Sequence, residues 1–151
     1  MAAEEMILIK EVYLKSEPNA GNMVMLKEKA DADRYVTIFV GDSEFAAIAK
    51  EKGIVDPKRP LTHELYLGIL DRTGLTFQRI EITAIREDTY YADVVLNEAG
   101  AEHRIDSRPS DALALALNRK IPIMVHQGLF RRELTQEEIK EYEGIVKHVK
   151  F

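Results

Sequence analysis

Residues Arg104-Ile-Asp-Ser-Arg-Pro-Ser-Asp-Ala-Leu-Ala-Leu-Ala-Leu117 constrain the fold more than any other stretch of the chain. An extended segment runs into a polar turn, and the turn runs into alternating Ala and Leu. That alternation by itself would suit a strand, but Ala and Leu are among the strongest helix formers and Pro109 suits a first helical turn. The segment is therefore expected to be a strand over 101–106 and a buried helix over 112–117 with small faces for close packing, capped at Ser107 or Arg108. Ser43-Glu-Phe-Ala-Ala-Ile-Ala49 echoes Ser110-Asp-Ala-Leu-Ala-Leu-Ala116 at a spacing of 67 residues. The same spacing carries 35–40 onto 102–107 and the preceding strands onto 73–82 and 90–96. Two accounts stand: chance similarity of two Ala-rich helices, or a duplicated unit. Duplication predicts an α+β single domain of two similar three-strand-plus-helix halves, roughly 6–53 and 77–118, forming curved sheets or a pseudo-barrel.

Residues 6–15 and 23–29 read as a hairpin across the Pro, Asn and Gly of 17–22. The β-branched and aromatic run 34–40 reads as a strand, ended by Gly41 before Asp42 or Ser43 caps a helix that stops at Gly53. Pro57 and Pro60 keep 54–61 irregular, and Thr62 caps a helix carrying Leu65, Tyr66, Ile69 and Leu70 that stops at Gly74. Strands over 77–86, 90–96 and 101–106 follow, turning at 87–88 and 97–100. A short strand over 121–125 closes the domain, taken as 1–133. Thr135 and Glu138 form a capping box, and Ile139, Tyr142, Val146 and Val149 give a C-terminal helix over 134–151 one apolar stripe.

The length of 151 residues suits one domain, and 46% hydrophobic with 31% charged residues suits a soluble globular protein. With no cysteine there is neither a disulfide scaffold nor a thiolate metal site, which fits a reducing cytoplasm. The N-terminus is acidic where a signal peptide is basic, and its apolar run is too short to span a bilayer, so a cytoplasmic location without membrane contact is expected. A net charge of −5 argues against sequence-independent coating of DNA, but not against a small site for nucleic acid.

Several side chains are open to two readings. Asp106 and Asp111 straddle the strand-to-helix turn, where two carboxylates suit Mg²⁺ or Mn²⁺; equally, each can serve the turn and the helix start. Ser107 and Ser110 are anion contacts or caps, with caps the simpler account because no Gly-x-Ser-x-Gly elbow surrounds them. Arg108 and Arg59 each precede a proline and are held extended, free to meet a phosphate or to form an ion pair. His63 sits in a first helical turn, where the dipole favours a neutral ring able to accept a proton or bind a metal. Glu64 and Glu44 occupy first turns too, where dipole compensation is sufficient explanation. His103, His126 and His148 lack ligand spacing. Arg119, Lys120, Arg131 and Arg132 form a modest basic cluster, read first as a solvated face.

Four ordered blocks resemble the bifunctional nuclease domain family: Val-Gly-x-x-Glu with following alanines at 40–49, Arg-Pro-Leu-Thr-His-Glu-Leu at 59–65, Thr-Tyr-Tyr-Ala at 89–92, and Ile-Asp-Ser-Arg-Pro-Ser-Asp-Ala at 105–112. The resemblance implies hydrolysis of DNA and RNA with a divalent metal. Carried over position by position, it gives Glu44, His63, Glu64, Asp106, Arg108 and Asp111 as site candidates. Taken with the residue readings above, the expectation is a catalytic set of His63, Glu64, Asp106, Arg108 and Asp111, with Asp106, Asp111 and Glu44 holding Mg²⁺ or Mn²⁺ and Arg59, Arg108, Ser107 and Ser110 contacting a nucleic-acid substrate. The competing reading is a non-catalytic anion- or ligand-binding regulatory module; in either case a homo-oligomer is expected.

Overall fold

A computed structural model of the chain describes residues 5–132. The expected C-terminal helix lies outside the described residues. The elements are β1 (Met6–Leu8), β2 (Glu11–Glu17), β3 (Gly21–Lys27), β4 (Arg34–Val40), α1 (Asp42–Glu51), α2 (Thr62–Leu70), β5 (Thr76–Arg86), β6 (Thr89–Glu98), β7 (Ala101–Ser107), α3 (Pro109–Arg119), β8 (Ile123–His126) and β9 (Arg131–Arg132). They form an α+β arrangement with one sheet in the order β1-β8-β5-β6-β7 and another in the order β2-β3-β4-β9. Pairing is antiparallel except between β5 and β8. The sheets remain separate, so among the described residues no barrel closes.

The expected strand over 6–15 is broken. Ile9 donates its N–H to the Ile123 carbonyl at 2.8 Å, whereas Lys10 donates to the Lys27 carbonyl at 3.1 Å, so the chain changes sheets between neighbouring residues. The continuous apolar run hid this crossing, because either sheet can bury such a run. The hairpin itself is β2–β3, with Glu17 opposite Gly21. The turns joining β5–β6 and β6–β7 each place two residues in the left-handed region: Glu87 and Asp88 at φ 49° and 62°, Ala99 and Gly100 at φ 49° and 89°. Such turns match the right-handed twist of the strands they join.

The Ala/Leu segment is helical and longer than the core expected, with Ala112, Leu113, Ala114 and Ala116 buried. The helix starts where Pro109 supplies a preset φ and loses no hydrogen bond, and it ends on Lys120 in the left-handed conformation. Its buried face packs with Ile80, Ile82, Ala92, Val94 and Leu96 of the central strands. Each fully buried Leu or Ile side chain contributes about 1.5–3 kcal/mol.

The two halves correspond element by element. β2-β3-β4-α1 and β5-β6-β7-α3 are both antiparallel three-strand meanders that feed directly into a helix. β4 moved on by 67 residues is β7, and Asp42 at the start of α1 becomes Pro109 at the start of α3. The helices lie side by side and run in the same direction. Asn118 of α3 donates to Glu51 of α1 at 3.1 Å, a pair again 67 positions apart, while the starts of both helices meet at Arg108.

A candidate functional site at three helix starts

The turn between β7 and α3 sets the site. Arg108 occupies the cap position with φ −69° and ψ 143°, the extended conformation imposed by Pro109. No side chain caps this helix. Ser107 instead donates its hydroxyl to the Arg108 carbonyl at 2.9 Å, and Ser110 is buried in the first turn. With its backbone extended and 63% of its side chain exposed, Arg108 is free to spread its guanidinium over neighbouring acids.

Asp111, the third residue of α3, receives two of the donors: Nε on Oδ2 at 2.9 Å and Nη2 on Oδ1 at 3.2 Å. The remaining nitrogen, Nη1, donates to Glu44 Oε1 at 3.0 Å. Glu44 is the third residue of α1, so the arginine holds the equivalent acids of both halves. A planar fork suits this task better than an ammonium point charge. His63 completes the group, with Nε2 3.0 Å from Asp111 Oδ1 and only 17% of its side chain exposed. An ionised carboxylate only accepts, which puts the proton of a neutral His63 ring on Nε2 and leaves Nδ1 with the lone pair.

α2 places His63. Thr62 is the first helical residue rather than the cap; Leu61 holds the cap position, and its N–H donates to Glu64 Oε2 at 3.0 Å. Glu64 Oε1 pairs with Lys50 of α1, which also reaches Glu51 at 2.7 Å. Both Glu64 oxygens are thereby engaged in holding the start of α2 to α1. Lys50, Glu51 and Asn118 anchor the site without a local sequence signal, because their partners are distant in the chain.

The electrostatics follow from these contacts. Burial opposes ionisation of Asp111, but the hydrogen bonds and charge of Arg108, with His63, outweigh it and hold the carboxyl below its ordinary range. For Glu64 burial again opposes ionisation and is outweighed by Lys50 and backbone N–H groups. Asp111 and Glu44 hydrogen-bond Arg108 and keep its guanidinium firmly charged.

Asp106 does not join this network. In the β6–β7 register it stands opposite Asp93, so its side chain shares the sheet face of Asp93, Glu81 and Arg104, the face turned away from α3. Among the described residues it makes no side-chain hydrogen bond or ion pair, and neither does Arg59, exposed in the loop before α2. Arg119 pairs with Asp71 at 2.7 Å, while Arg131 and Arg132 lie in β9 against β4, so the basic cluster is divided among different elements. Among the described residues no three His, Asp or Glu side chains are placed to hold a metal ion. The guanidinium of Arg108 lies between Glu44 and Asp111 and supplies their counter-charge.

The bifunctional nuclease domain matches residues 24–138. An uncharacterized protein of Mycobacterium tuberculosis is 35% identical over 121 residues, which cover 80% of this chain and 72% of that protein. Bifunctional nuclease 1 of Oryza sativa subsp. indica is 25% identical over 109 residues, 70% of this chain and 33% of the rice protein. Bifunctional nuclease 2 of Arabidopsis thaliana is 23% identical over 125 residues, and the match spans only 38% of that protein. No helix among the described residues is long and apolar enough to cross a membrane. With Glu44, His63, Arg108 and Asp111 all inside the matched span, this chain belongs to the bifunctional nuclease domain family.

Proposed function

We propose that the chain is a phosphodiesterase acting on nucleic acid, with His63, Asp111 and Arg108 as its working residues. The observation that carries this reading is a histidine held by a carboxylate that is itself shared with an exposed arginine. Nδ1 of His63 takes a proton from water as its oxygen bonds to phosphorus and the ester P–O bond breaks; that proton then passes to the leaving oxygen, while Asp111 orients the ring and stabilises the transient cation. Arg108 turns its fork to the phosphate and meets the charge that grows there. Arg59, exposed in the loop that leads into α2, adds a contact to the substrate. Mg²⁺ or Mn²⁺ would bind Glu44 and Asp111 only in exchange for Arg108, and would supply further charge at the phosphate.

One observation favours the rival reading of a non-catalytic anion-binding module: all three Arg108 contacts are already made by protein carboxylates. Cleavage of single-stranded DNA and RNA oligonucleotides, with added Mg²⁺ or Mn²⁺ and with chelator, separates the two. Turnover by the wild type that His63→Ala abolishes supports the enzyme. Saturable oligonucleotide binding that raises Tm without turnover supports the module.

A further inference from the structure

We propose that Gly41 is a positioning residue of this site, its missing Cβ reserving the space in which Glu44 turns back to hold Arg108. The proposal rests on the reading of Arg108 as the group that meets substrate phosphate. Gly41 stands at the cap position of α1 with φ −74° and ψ 173°, an extended conformation open to any residue. Its backbone therefore makes no demand for glycine, unlike Gly21, Gly53 and Gly100 at φ 86°, 76° and 89°. The demand is for space. The three nearest atoms that a Cβ on Gly41 would meet all belong to the Glu44 carboxyl group: Oε2 in steric overlap, Cδ at 3.5 Å and Oε1 at 4.0 Å. That same Oε1 accepts from Arg108 Nη1 at 3.0 Å.

The two halves correspond here as well. The position equivalent to Gly41, 67 residues on, is Arg108 itself. One half carries the arginine at its helix cap and the other carries no side chain. A single guanidinium can then serve the third-position acid of both helices, because nothing at the first cap displaces Glu44.

Gly41→Ala leaves the backbone φ unstrained and obliges the Glu44 carboxyl group to swing Oε2 aside, which shifts the group whose Oε1 holds Arg108. The test is a double-mutant cycle of wild type, Gly41→Ala, Glu44→Ala and the double variant. It is read by Tm, by kcat and KM on a single-stranded oligonucleotide, and by the Arg108 Nη–Hη signals in NMR, since Nη1 is the donor to Glu44. Gly41→Ala should lower Tm by roughly 1 °C more in the wild-type background than in the Glu44→Ala background, where only the small cost of alanine at a helix cap remains. Each single variant should raise KM by the same factor, roughly tenfold, and the double variant no further. The Arg108 signal should broaden in all three variants. Equal Tm losses in both backgrounds, or an unchanged Arg108 signal in Gly41→Ala, would overturn the proposal. A wild type without turnover defeats the nuclease reading alone, since the Tm cycle and the Arg108 signal still decide whether Gly41 and Glu44 are coupled.

Discussion

Arg104 and Arg108 are separated by one turn of sequence, and each bridges carboxylates from distant segments, yet their surroundings differ. Arg104 lies on β7 and contacts Glu81 at 2.9 and 3.2 Å, Asp93 at 3.3 Å and Glu102 at 3.3 Å. Glu81 is also held by Arg79 at 2.6 Å and is only 9% exposed. Burial opposes its ionisation, and the two arginines overcome that and keep its carboxyl below the ordinary range. Arg108 sits on a turn with 63% of its side chain exposed, its acids half-buried at helix starts. On the sheet the shared acid, Glu81, is covered by two arginines; at the helix starts the most exposed member is the arginine itself. Burial of the acid in one network and exposure of the cation in the other set them apart.

The comparison breaks first on activity. His63→Ala or Asp111→Asn should lower cleavage by about 10²–10⁴-fold while moving Tm little, because general-base catalysis of that size is lost at a site the core does not need. Parallel losses of Tm and cleavage would place these residues with Glu81 as structural. The next effect is on stability. Glu81→Ala removes the buried acid between Arg79 and Arg104, leaves them Glu102 and Asp93, and should cost about 1–3 kcal/mol in urea unfolding. Arg108→Ala removes only solvent-screened pairs and should cost less than about 1 kcal/mol. Equal costs would erase the distinction.

A smaller effect comes with pH. Glu81 has a folded pKa below its ordinary 4.5, and Asp111 one below its ordinary 3.8. Their stabilisation is therefore present above those ordinary values and disappears as pH falls through the depressed folded values. Urea midpoints should be level between neutral pH and about pH 5, then fall in more acidic buffer. Glu81→Gln should flatten that fall more than Asp111→Asn does; the reverse order would make the helix starts the stronger ionic anchor.

What could be read from the sequence was local. Pro109 after Arg108, the Ala/Leu run, and Gly100 with Glu87-Asp88 at the hairpins announce α3 and the meander because each acts through its own φ/ψ preferences. The spacing of 67 pointed to the second half for the same reason. Glu44, His63 and Asp111 stood out as polar residues at helix starts. The sequence did not disclose which distant partners those residues choose. Lys50 with Glu64, Arg108 with Glu44, and the change of sheet at Ile9-Lys10 depend on how separate segments pack. Asp106 shows the limit most clearly, because on a strand one step of register decides which face a carboxylate takes.

Asp106 also provides the smallest and most discriminating test of the comparison. It lies two residues from Arg104 and two from Arg108, and makes no hydrogen bond or ion pair with either among the described residues. Its neighbour across the strands is Asp93, whose carboxylate already accepts from Arg104 at 3.3 Å. Removing its charge should change stability by no more than about 0.5 kcal/mol, with a slight gain expected from relief of the facing acid. Asp106→Asn should also leave cleavage within about twofold of wild type, since the helix-start network can act without it. Unfolding and oligonucleotide cleavage of this variant beside Asp111→Asn put the matter directly. If cleavage falls as steeply in Asp106→Asn as in Asp111→Asn, the working site extends across the strand-to-helix turn, and the boundary drawn between the two arginine networks is in the wrong place.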